Sequence, residues 1–130
     1  MDEFRSIPII KLEDNLIVSI QVSLHDRLVM KLQDDIAHKI VKTKAKGLIV
    51  DVSSVEVMDS YIARAINDIG KNARIMGTES VIVGLQPAVA ITLIEMGMTM
   101  DKVQTALNLD SGIAKLKEIN ESKNKRGGEE

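Results

Sequence analysis

The sequence has no cysteine and no tryptophan. Disulfides, thiolate metal sites and cysteine nucleophiles are therefore excluded. Phe4 and Tyr61 are its only aromatic residues, so base-stacking platforms for nucleic acid are missing. The core must be built from Ile, Val, Leu, Met and Ala. No apolar run approaches the roughly 18 residues of a membrane span, and Met1-Asp-Glu-Phe4 does not open a signal peptide. A cytoplasmic location is the expectation. A net charge of −2 gives no electrostatic reason to expect nucleic acid or an anionic membrane as a partner. Neither common phosphate-cradling glycine motif is written in the chain. His25 and His38 stand alone, without the spaced ligands of a metal site. A nucleophile elbow and a histidine base to serve it are also lacking. These absences predict a protein that is not an enzyme and that uses no metal or cofactor.

What is present reads as one soluble domain. The chain has 130 residues, 45% of them hydrophobic and 28% charged, enough to bury a real core. Ile7-Pro-Ile-Ile-Lys-Leu12 and Leu16-Ile-Val-Ser-Ile-Gln21 are β-branched runs around Glu13-Asp-Asn15, a hairpin signal. Pro8 assigns the first run to a sheet edge, because it cannot donate to a ladder. From Leu24, apolar residues recur at helical spacing through Leu28, Leu32, Ile36 and Ile40. Lys39, Lys42, Lys44 and Lys46 suit the end of that helix, and Gly47 marks its exit. Leu48-Ile-Val50 has the continuous apolar character of a central strand. Ile62, Ala65, Ile66, Ile69 and Ala73 form the next helical face, closed by Gly77. Ser80-Val-Ile-Val-Gly84 is a further buried strand. Pro87 opens a third helix, which runs through Ala90, Leu93 and Ile94 to Gly97. Met96, Met98 and Met100 read as core filler. Val103 to Leu107 is a short terminal strand, and Asp110 and Ser111 cap a last helix. From Ser122 to the end at 130 the composition predicts a disordered polar tail. The order ββαβαβαβα predicts an α/β fold: a mixed, mostly parallel sheet of four to five strands covered by about four helices.

Chemistry concentrates at Val52-Ser-Ser-Val-Glu-Val-Met-Asp-Ser-Tyr61, where a buried strand leads into a helix. Ser60 falls at or just inside the helix start, beside backbone N–H groups without intrahelical partners. Such a hydroxyl suits a cap, and the same place suits a covalently attached phosphate. Asp59 is equally a cap or a loop-shaping residue. Ser53 and Ser54 read as turn residues, and Arg64 lies one turn into the helix. A receiver-domain reading with an acceptor at Asp51 or Asp59 fits poorly. The first hairpin offers only Glu13 and Asp14 in its turn, and the last strand does not end in Lys. Local physics leaves cap and switch both open.

The stretches Ile7 to Leu12, Leu16 to Gln21, Val57-Met-Asp-Ser-Tyr-Ile-Ala63 and Gly84-Leu-Gln-Pro-Ala-Val-Ala-Ile-Thr-Leu-Ile-Glu-Met-Gly97 resemble the STAS-domain anti-sigma-factor antagonist family. Thr105 to Leu107 and Asp110 to Leu116 fit as well. Within that family the resemblance is to the small, single-domain RsbS type of the bacterial stressosome. It implies a STAS domain over residues 5–121 and a phosphoacceptor at Ser60. Asp59, Tyr61, Arg64 and Ser54 would shape the site or contact a partner. It further implies phosphorylation by an RsbT-like serine kinase, reversal by an RsbX-like phosphatase, and co-assembly with RsbR-type paralogues. A dimer within a large complex is expected. A serine acceptor and the lack of a preceding sensor domain suit the RsbS type better than the RsbR type. Thr92, near a second acceptor position of those paralogues, is read as an ordinary helical threonine. Readings from other classes are a small-ligand or nucleotide module with its site near Ser54, Ser60 and Gln86, and a purely structural assembly subunit.

Overall fold

Strand and helix patterns alternate along the chain, and the computed structural model resolves them into one sheet with helices on both faces. It describes residues 7–21, 25–57, 59–95, 97 and 104–128. The elements are β1 (Ile9–Leu12), β2 (Asn15–Ser19), α1 (Asp26–Thr43), β3 (Gly47–Asp51), α2 (Ser60–Ile75), β4 (Glu79–Val83), α3 (Pro87–Glu95), β5 (Gln104–Ala106) and α4 (Leu109–Gly128). The strand order is β1-β2-β3-β4-β5. β1 and β2 are antiparallel, and the remaining pairs are parallel. The expected mixed, mostly parallel sheet is present, and Pro8 precedes an edge strand as its missing N–H requires.

Side-chain alternation divides the core. Leu16, Val18, Leu48, Val50 and Ile82 face α1, α2 and α3, while Ile49, Val81 and Val83 face Leu116 of α4. Leu48, Ile49 and Val50 are buried on both faces, each worth roughly 1.5–3 kcal/mol relative to exposure. This is why β3 lacks polar alternation.

Several boundaries differ from the sequence reading. Lys44, not Gly47, takes the left-handed position that ends α1, with φ +57°, and its N–H donates to the Ile40 carbonyl. Gly47 instead opens β3, where a Cβ would overlap Asn15 Oδ1. α4 takes Asn108 rather than Asp110 as its N-cap, and Ser111 serves as the reciprocal capping partner. Asn108 Oδ1 accepts from the Ser111 N–H, and Ser111 Oγ accepts from the Asn108 N–H, both at 2.9 Å. This is a reciprocal capping box. Where a disordered tail was expected from Ser122, α4 continues to Gly128. Lys123, Lys125 and Arg126 are good helix formers that propagate a helix once its amphipathic part is nucleated. Lys123 Nζ adds an anchor, 2.8 Å from Glu79 Oε1. In α3, Val89 and Leu93 are buried while Ile91 and Ile94 face outward. The readings of Met96, Met98 and Met100 lie outside the described residues.

Candidate functional site

β3 ends at Asp51, at the carboxyl end of the parallel strands. The loop that follows is held to β4 and α3 by backbone and side-chain bonds. Asp51 Oδ1 accepts from the Ser53 N–H at 2.9 Å, an Asx turn. Val52 N–H donates to the Val83 carbonyl, and Val55 N–H to the Val52 carbonyl, closing a turn through Ser53 and Ser54. Gln86 Nε2 donates to the Ser53 carbonyl at 2.9 Å. Gly84, with φ +77°, lies directly against this turn. A Cβ there would come within 2.8 Å of Ser53 Cβ and 3.1 Å of Asp51 Oδ1. Only glycine satisfies both the positive φ and the close approach.

The loop delivers Asp59 in an extended conformation, and its Oδ1 accepts from the Ile62 N–H at 2.8 Å. Its carbonyl accepts from Ala63 N–H. Asp59 is therefore the N-cap, and Ser60 is the first helical residue. The cap-or-switch ambiguity at Ser60 resolves locally: capping belongs to its neighbour. Ser60 is exposed, and its hydroxyl makes no hydrogen bond among the described residues. By position, the N–H groups of Ser60 and Tyr61 have no intrahelical acceptor. Further along, Ala63, Ile66, Ile69 and Ala73 bury one face of α2. A Schellman closure ends the helix: Thr78 N–H donates to the Ala73 carbonyl and Gly77 N–H to the Arg74 carbonyl, with Gly77 at φ +83° as this motif requires.

Tyr61 reaches across to α1. Its phenol donates to Asp26 Oδ1 at 2.6 Å, tying the starts of the two helices together. That bond raises the phenol's pKa above its ordinary value, with smaller contributions from desolvation and from the negative charges of Asp26 and Asp59. Arg64 is exposed and forms no ion pair among the described residues. Ser54 is exposed in the turn, and Val57, 78% exposed, stands beside it in the loop. Thr92 donates to the Ala88 carbonyl at 3.0 Å within α3.

Sequence reading missed two residues. Asp26 is 35 positions from Tyr61, and no periodicity links them. Gly84 reads as a strand end, and its contact with Ser53 exists only in three dimensions. Chemically, the site presents an unencumbered hydroxyl with no base hydrogen-bonded to it among the described residues. An activated nucleophile needs such a base. A hydroxyl destined to receive a group from elsewhere does not.

Comparison with known proteins fits this geometry. The STAS domain model matches residues 6–112. The chain belongs to the STAS family. Among STAS structures, a serine-to-glutamate variant of RsbS from Moorella thermoacetica is 38% identical with a TM-score of 0.75. The match covers 88% of this chain and 97% of that one. A chain from a structure described as the molecular architecture of the stressosome, a signal integration and transduction hub, is 41% identical. Its TM-score is 0.75, over 87% of this chain and 98% of its own. The RsbT co-antagonist protein RsbRA of Bacillus subtilis (strain 168) is 25% identical over 119 residues. Those residues are 91% of this chain but 43% of that protein, so the chain spans less than half the length of this STAS relative.

Proposed function

We propose that the protein is a non-enzymatic phospho-switch and scaffold subunit of a stressosome-type complex in the cytoplasm, with Ser60 as the phosphoacceptor. The observation that carries this reading is the division of roles at the start of α2. Asp59 performs the capping, which leaves the Ser60 hydroxyl exposed and unbonded at a helix terminus. Likeness to RsbS and to a stressosome chain, each over nearly the whole of both chains, supports membership of the same signalling machinery. That an RsbS relative was made with glutamate in place of a serine fits a site where added negative charge matters.

In this reading the unmodified protein holds an RsbT-like serine kinase and co-assembles with RsbR-type paralogues. The kinase phosphorylates Ser60 and is released, and an RsbX-like phosphatase resets the site. Phosphoserine carries about −1.5 to −2 charge at neutral pH. The open N–H groups of Ser60 and Tyr61 and the helix dipole favour it by about 0.3–1 kcal/mol at an exposed terminus. Asp59 and Glu56 oppose it by like-charge repulsion. The larger effect falls on the bound partner, because a dianion in a desolvated contact is costly unless a cation meets it. Arg64 and Ser54 flank that contact.

The test is mass spectrometry after incubation with an RsbT-type kinase and ATP. Phosphate is expected on Ser60, and Ser60→Ala should lose it while retaining the fold and kinase binding. Stoichiometric incorporation into Ser60→Ala would move the acceptor elsewhere.

A further inference from the structure

α1 begins with an unusual cap. His25 has extended backbone (φ −136°, ψ 167°), and its carbonyl accepts from the Val29 N–H at 2.9 Å, as an N-cap carbonyl does. Its ring Nδ1 lies 3.3 Å from the Leu28 nitrogen and accepts that N–H. Serine, threonine, aspartate and asparagine are the side chains usually found in this place, and they accept throughout the neutral pH range. Imidazole accepts only while it is neutral, because the imidazolium carries a hydrogen on both ring nitrogens. A backbone N–H can only donate, so the bond to Leu28 requires Nδ1 to be the bare nitrogen.

The next residue ties this cap to the other helix start. Asp26, the first residue of α1, holds the Tyr61 phenol at 2.6 Å, and Tyr61 directly follows Ser60 in α2. Of the charged and titratable groups at these two starts, Asp26 and Arg27 follow His25 in α1. The start of α2 brings Asp59, Tyr61 and Arg64, with Glu56 in the loop before it. Gln21, Val22, Ser23 and Leu24, which lead into the cap, bring none. Among the described residues no ion pair joins any of these groups to the ring. Carboxylates ordinarily titrate at about pH 4 and phenols at about pH 10, which leaves the imidazoles to change charge between about pH 5 and 8. His38 is the other histidine, and it responds differently. Its Nδ1 lies 2.8 Å from the Asp34 carbonyl. A carbonyl only accepts, so that nitrogen already carries its hydrogen and protonation leaves the bond in place.

We infer that His25 is a pH-sensitive cap that couples acidity to the start of α2. The cap is complete on the alkaline side of the imidazole range and is lost as pH falls through that range. Protonation removes the acceptor of the Leu28 N–H and puts a cation at the positive end of the α1 dipole. The freed imidazolium then competes with the Tyr61 phenol for the Asp26 carboxylate, and the tie between the two helix starts loosens. Any effect on modification of Ser60 rests on the function proposed above; the cap itself does not.

Two-dimensional NMR of the isotope-labelled full chain, taken from about pH 7.5 to about pH 5.5 across the imidazole range, follows the His25 ring, the Leu28 amide and the Tyr61 ring together. Solvent exchange of the Leu28 amide, corrected for its intrinsic pH dependence, is expected to speed up roughly five- to tenfold as His25 protonates, in line with the loss of one cap. The Tyr61 signals should move with the same midpoint. His25→Asn keeps a capping acceptor that does not titrate, so both readings should stay flat in it. His38→Gln should respond like the parent. Leu28 and Tyr61 staying unchanged while the His25 ring titrates would overturn the inference. A pH response that survives in His25→Asn, or that vanishes in His38→Gln, would do the same. No kinase or phosphate enters this experiment, so its failure would leave the assignment of Ser60 untouched.

Discussion

At Asp59 and Ser60, two adjacent residues that both suit a helix start take different tasks. The aspartate side chain stays on the Ile62 N–H, so the serine side chain has nothing to do in the fold itself. Modification of Ser60 then need not dismantle the cap. Asp59→Ala is expected to cost about 0.5–2 kcal/mol by chemical denaturation, the usual loss for a cap. It should also change the rate at which the kinase modifies Ser60, because the first turn would fray. Unchanged kinetics together with the stability loss would reduce Asp59 to a purely structural residue. The sequence contained both candidates but could not rank them, since Asp and Ser are nearly equal as caps. The rank came from which one arrives with extended backbone, and the preceding loop decides that.

Among the elements, the Ser60 loop owes its position to a neighbour that sequence patterns do not connect to it. β4 leaves the sheet at Gly84 and presses on Ser53 and Asp51, and Gln86 completes the clasp. Gly84→Ala would combine a strained positive φ with a steric overlap. A loss of about 1–3 kcal/mol is expected in thermal or denaturant unfolding, with slower phosphorylation of Ser60 even in the folded fraction. Wild-type phosphorylation at matched folded population would show that the loop finds its place without the clasp. The strands and helices themselves were readable, because each is long enough for a period to declare itself: β3 by its unbroken apolar run, α2 by its 3.6-residue face. The ends were less readable. Lys44 takes a left-handed position usually given to glycine or asparagine, and Asn108 caps α4 from outside the apolar pattern. The helical continuation past Ser122 depends on propagation rather than on burial, which leaves no apolar signal to find. The outward Ile91 and Ile94 of α3 show the same limit, since an apolar helix does not say which of its faces is covered.

Across the whole molecule, the sheet separates two ends. The carboxyl ends of the parallel strands carry the Ser60 loop, and the β1–β2 turn and the entry to β3 lie at the opposite end. Most of the core is sealed between them, with β3 buried on both faces. A charge added at Ser60 is therefore expected to act on what docks there rather than on the fold. Ser60→Asp should keep the melting behaviour and secondary structure of the parent, yet retain an RsbT-type kinase less well in a pull-down. Equal retention would sink the electrostatic release mechanism. One feature beside Ser60 also makes the whole molecule easy to watch. Tyr61 is the chain's only tyrosine, and there is no tryptophan to outshine it. Its phenol rests on the Asp26 carboxylate next to Ser60. An excited phenol is a much stronger acid than a resting one, and a carboxylate in contact with it dims its emission. The protein thus carries an intrinsic optical reporter beside the proposed acceptor. A change in its near-ultraviolet emission is the expected dye-free signature of phosphorylation at Ser60.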